Sequence, residues 1–112
     1  MVGLDRIKAL SERIAHEFQP ERIILFGSYA SGKPNEGSDV DLLVVLSFEG
    51  KAAYKAGEIR NKIRPEFPLD LIVRTPEQVE DRLAKNDWFM RDIFEKGRTL
   101  YEIDNARVGA EG

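Results

Sequence analysis

The chain contains no cysteine. Disulfides, thiolate metal sites and thiol nucleophiles are therefore excluded, and a reducing cytoplasmic location fits that composition. A single histidine, His16, cannot by itself build a multi-histidine metal centre; it falls inside a helical pattern and reads as a surface or half-buried residue. No apolar run approaches the roughly 18 residues of a membrane span, and the N-terminus lacks the basic-then-apolar layout of a signal peptide. An excess of positive charge is missing too. Seventeen Lys and Arg stand against 20 Asp and Glu, a net charge of −3. Domains that grip duplex nucleic acid are more often strongly basic, so duplex DNA or RNA is not expected as the principal partner.

What remains is a chain of 112 residues, 42% apolar and 33% charged. That size supports one modest core. The expected organisation is a single domain over residues 1–103 with a loose tail over 104–112, where apolar periodicity stops. No repeat or low-complexity segment interrupts it.

Leu4, Ile7, Leu10, Ile14 and Phe18 recur at three- and four-residue spacing and predict an amphipathic helix over about 3–18, stopped at Pro20. Arg22 to Phe26 (RIILF) reads as a buried strand. A short helix over Ser28–Ser31 would be cut off by Gly32 and Pro34. Asp39 to Leu46 is a second strand. Past Asp41 both of its faces are apolar, the mark of a central strand covered on both sides. A helix over about 50–64 ends before Pro65, and its Lys51, Lys55, Arg60, Lys62 and Arg64 read as a solvated face or as a positive rim that draws in an anion. Leu69 to Val73 is a third strand. Thr75-Pro76 opens a helix through about Asn86, and Asp87 caps another over Trp88–Lys96 that Gly97 ends. Thr99 to Ile103 reads as a short edge strand.

The chemistry concentrates in GSYASGKPNEGSDVDLLVVL. Gly27-Ser28 follows a strand, and ten residues later Asp39-Val40-Asp41 opens another. Alternate strand residues share a face, so Asp39 and Asp41 project together, and paired carboxylates repel unless a cation lies between them. Oxygen-only ligands suit Mg²⁺ (or Mn²⁺), which completes its shell with water and substrate phosphates. The Gly27-Ser28 turn supplies backbone N–H groups for phosphate oxygens. Asp70, between Leu69 and Leu71, is a third acid in an apolar run; if its strand lies beside the second, all three carboxylates face one cleft. Taken singly each signal is bland, since Asp-x-Asp is common in turns and caps. A Walker-type loop fails because Pro34 follows Gly32-Lys33, and no dinucleotide fingerprint follows a strand.

Together these residues resemble the DNA polymerase β-like nucleotidyltransferase superfamily, and within it the minimal nucleotidyltransferases that act as antitoxins beside HEPN-domain toxins. The resemblance covers about 21–74 by motif and the whole chain by length. It implies an α+β, two-layer fold, a small mixed sheet backed by helices. It implies transfer of a nucleoside monophosphate, AMP from ATP, to a hydroxyl such as a tyrosine of a HEPN partner, with release of pyrophosphate. By position, Asp39, Asp41 and Asp70 are the metal ligands and catalytic acids, with Asp70 the base; Gly27 and Ser28 hold the triphosphate, with Ser38 and Lys33 as further contacts. The chain lacks the toxin's Arg, four to six residues, His pattern. Relatives often carry a basic residue where this chain has Ser31. At this length no second domain is expected to hold an acceptor, so a partner or second subunit is expected to do so; Trp88, Phe89, Met90 and Phe94 are candidates for that contact or for the core. Two other readings stand beside this one: a catalytically silent module that neutralises a partner by covering it, and a transferase acting on a small hydroxylated molecule.

Overall fold

The computed structural model of the protein describes residues 1–103; the tail expected over 104–112 lies outside the described residues. The first periodic stretch forms α1 (Leu4–Phe18), which buries Ile7, Leu10 and Ile14. Gln19 ends it in a left-handed conformation, its N–H bonded to the Ala15 carbonyl, and Pro20 cannot continue a helix. Then come β1 (Arg22–Phe26), a single helical turn α2 (Ser28–Ser31), β2 (Val40–Val45), α3 (Ala52–Ile63), β3 (Leu69–Arg74), α4 (Pro76–Ala84), α5 (Trp88–Lys96) and β4 (Arg98–Glu102). Thr75 and Gln78 close a capping box at the start of α4, and Asp87 caps α5 through the Met90 N–H at 2.8 Å; each cap supplies an acceptor to an N–H that the helix leaves unpaired.

The four strands form one mixed sheet in the order β3-β2-β1-β4. β2 is antiparallel to β1 and parallel to β3, and β1 is antiparallel to β4. Two clusters sandwich the sheet. On one face Ile23, Leu25, Val40, Leu42, Val44, Leu71 and Val73 pack under α1 and α3. On the other, Ile24, Leu43 and Val45 meet Val79 of α4 and Met90 and Ile93 of α5. The fold is thus the expected small mixed sheet backed by helices, with α4 and α5 adding a partial cover on the opposite face. β2 explains why: Leu42, Leu43 and Val44 are fully buried on alternating faces, and burying each contributes roughly 1.5–3 kcal/mol only if both faces are covered. Among the described residues no helix is long and apolar enough to cross a membrane.

Gly97 is where α5 closes onto β1. A Cβ there would press on the Ile93 carbonyl and sit 2.6 Å from Ile24 Cγ2. Gly57, inside α3, has open space around it. Gly97→Ala is therefore expected to cost about 1–3 kcal/mol through overpacking, whereas Gly57→Ala should add about 0.5–1 kcal/mol through helix propensity; urea denaturation of the two variants checks the opposite signs.

Candidate active site

Strand pairing assembles the acids. In the β2–β3 register Asp41 lies directly beside Asp70, and in the β1–β2 register it lies opposite Phe26. Paired residues share a face, so Asp41, Asp70 and Phe26 all project to the side carrying Ile24, Leu43 and Val45, the side covered further along by α4 and α5. Asp39 precedes β2 by one residue and is exposed; Asp41 is half-buried and Asp70 exposed. The carboxyl groups of Asp41 and Asp70 stand near enough to share a proton when one of them is protonated. Burial first, then the Asp70 and Asp39 charges and the Asp70 hydrogen bond, raise the Asp41 pKa from 3.8 to about 6.

Gly27 brings the turn against these acids. It has φ 75° and ψ −155°, a region essentially restricted to glycine. The Asp41 carboxylate occupies the place a Cβ at position 27 would take. Ser28 starts α2, whose first N–H groups have no intrahelical acceptor. The α2 turn is held by bonds from Ala30 and Ser31 N–H to the Gly27 carbonyl, each 3.1 Å. Tyr29, buried in the main core, anchors it further, its hydroxyl accepting from the Val2 N–H at 3.0 Å.

The remaining polar candidates lie in the stretch between α2 and β2. The Ser38 hydroxyl accepts the Asn35 N–H at 3.0 Å and so helps shape the 35–38 loop. Lys33 is exposed, and its N–H bonds the Ser28 carbonyl at 3.0 Å. Of the four apolar residues expected at either the core or a contact, Met90 is buried, Phe94 is half-buried, and Trp88 and Phe89 are exposed. Phe26 was not singled out by sequence; its place beside Asp41 follows from antiparallel pairing across the Gly27 turn, a signal available once β1 and β2 are taken as neighbours.

A divalent cation is tested by the donor set. Three carboxylates with no histidine or thiol among them suit Mg²⁺ rather than a softer metal. The upward push on Asp41 marks an excess of negative charge that a cation would relieve. Among the described residues no three acidic or histidine side chains already stand close enough to hold one ion, so the three carboxylates must draw together for all of them to bind. The chemistry fits, with that one rearrangement. A separate cleft of about 570 Å³ runs beside α4, lined by Arg74, Gln78, Arg82 and Lys85 with Asp81 and Asp87. The three acids do not line it. Arg82 pairs with Asp87 and Lys85 with Asp81, both at 3.1 Å, while burial and the Arg82 charge lower the Arg74 pKa.

With this geometry in hand, the likeness to known proteins is specific. Residues 7–101 match the model of the family described as nucleotidyltransferase domain, and the chain belongs to that family; it is a nucleotidyltransferase. A Methanocaldococcus jannaschii protein named "Putative protein adenylyltransferase" is 34% identical over 90 residues, covering 72% of this chain and 78% of its own. A crystal structure described as "a putative nucleotidyltransferase" from Sulfolobus solfataricus superposes with a TM-score of 0.62 at 19% identity, over 90% of this chain and 81% of that one. A toxin–antitoxin structure with AMP-PNP superposes with a TM-score of 0.54 at 17% identity, over 88% and 76%. At such identities the two structures show the shared fold.

The Asp41 shift has a sign. Its folded pKa lies above the unfolded value, so the stability it contributes is fully present below 3.8 and is lost as pH rises through about 6. Without divalent cation, Asp41→Asn should match the wild type in acid and exceed it at neutral pH by on the order of 1 kcal/mol once solvent screening is allowed for; urea titrations across that range check it. Gly27→Ala should cost about 1–3 kcal/mol through backbone strain, read as a lowered urea midpoint, and the displaced Asp41 should lower nucleotidyl transfer as well.

Proposed function

We propose that the protein transfers AMP from ATP to a hydroxyl of a protein acceptor, a tyrosine of a HEPN-domain toxin, and thereby serves as its antitoxin. The observation that carries this reading is the pairing of Asp41 with Asp70 against Gly27, which sets carboxylates beside a turn with free N–H groups. The relative named for protein adenylyl transfer and the toxin–antitoxin structure with AMP-PNP support the acceptor class and the nucleotide.

In this reading Gly27 and Ser28 hold the β- and γ-phosphates, with Lys33 and Ser38 lending outer contacts from the following loop. The acceptor oxygen attacks the α-phosphorus, its bond to the β-phosphate oxygen breaks, and pyrophosphate leaves. Asp70, at the open end of β3, takes the hydroxyl proton. Asp39 and Asp41 with Asp70 would hold Mg²⁺ or Mn²⁺, which when bound supplies neutralisation of the charge developing on the α-phosphate and the leaving group. Asp39 and Asp70 are exposed at this end of the sheet, which suits an acceptor brought by another protein.

Incubation with α-labelled ATP, Mg²⁺ and the HEPN protein encoded beside it should place label on a tyrosine of that protein. Asp70→Asn should slow labelling by about 10²–10⁴-fold while leaving the fold intact by circular dichroism. A chain that binds ATP yet never labels the partner refutes the reading. Neutralisation of the toxin by an Asp39→Asn, Asp41→Asn double variant would instead favour a silent module that acts by covering its partner.

A further inference from the structure

Helix α5 runs antiparallel to β1. Phe89 packs edge-on against Phe26 at the end of that strand, with ring centroids 5.8 Å apart and planes at 86°. Phe94 lies under the Arg22 guanidinium, 5.5 Å from its ring centre, at the strand's start. The first turn of α5 therefore stands over the Gly27 end of the sheet, on the face that carries Asp41 and Asp70. Two large aromatic residues open that turn, and both are exposed: Trp88 at 76% and Phe89 at 44%. Exposing them forfeits the burial that elsewhere on α5 takes Met90 and Ile93 into the core.

We propose that Trp88 and Phe89 form the platform on which the nucleobase stacks. The proposal rests on the reading that a nucleoside triphosphate occupies the acid site. The triphosphate reaches from the Gly27-Ser28 turn to the carboxylates, so the nucleoside leaves from its α-phosphate end. On the Asp41 face the next side chain across β1 is Phe26, and the next beyond it is Phe89. An apolar ring surface is what a base seeks there, because every base has a π face and stacking needs no particular hydrogen-bond pattern. The platform is also held in place before any ligand arrives. Asp87 caps the helix at Met90 and pairs with Arg82, and the Phe26 edge contact orients Phe89. Little ordering remains for binding to impose.

Trp88 is the chain's single tryptophan, so its fluorescence reads the platform directly. ATP should quench it, while tripolyphosphate, which has no base, should bind without quenching. Trp88→Ala and the more conservative Phe89→Leu should each weaken ATP binding in calorimetry by roughly 5- to 150-fold, the loss that one base–aromatic stack represents, and leave tripolyphosphate affinity unchanged; Trp88→Ala, at an exposed position, should also leave thermal unfolding unchanged. ATP binding without quenching, with both variants at wild-type affinity, would overturn the platform and leave the nucleotidyl-transfer reading standing. Quenching by the protein acceptor but not by ATP would assign the two rings to the acceptor and overturn it as well. Failure of both ATP and tripolyphosphate to bind would remove the platform and the transferase reading together.

Discussion

The parallel pairing of β2 with β3 is the constraint on which the site depends. Its register sets Asp41 beside Asp70 rather than beside Leu69 or Leu71. A slip of one residue would turn Asp70 onto the face packed under α1 and α3, where an ionised carboxylate has no compensating partner. Leu69, Leu71 and Val73 oppose that slip by filling the other core. Like charges are thus forced together by apolar packing on the opposite side of the same strand, and the repulsion they carry is visible in the raised Asp41 pKa.

Gly27 then couples this pair to the turn. Because the Asp41 carboxylate takes the space of a missing Cβ, the backbone after β1 approaches the acids more closely than any other residue at that position would allow. The buried Tyr29 ties the short α2 to the main core, which holds the turn in place after Gly27. Rigidity here comes from packing beneath the site, while the site itself stays open to solvent on the side of Asp39 and Asp70.

Much of this was legible in the residues themselves. The periodicity of Ile7, Leu10 and Ile14, the RIILF run and the Thr75-Pro76 and Asp87 caps marked their elements to within a residue or two of where they stand. Asp39 fell just outside its strand because the edge of a ladder is set by a partner's length, here Leu69 pairing with Val40. Trp88, Phe89, Met90 and Phe94 illustrate the other limit. All four follow one another on an amphipathic helix, and composition could not tell which would be covered. The crossing of α5 over β1 buried Met90 and left Trp88 in solvent.

The sequence by itself determined the elements, the glycine–serine turn, the spacing to the Asp-x-Asp pair and the exclusion of thiol chemistry and of a multi-histidine metal centre, because these follow from local backbone preference and side-chain type. Only the tertiary structure decided that Asp70 faces Asp41, that Phe26 pairs with Asp41 and carries Phe89 on its far side, and that the basic cleft beside α4 lies apart from the acids. Strand order, register and helix crossing arise from contacts between residues far apart in the chain, where burial on one face selects what is presented on the other.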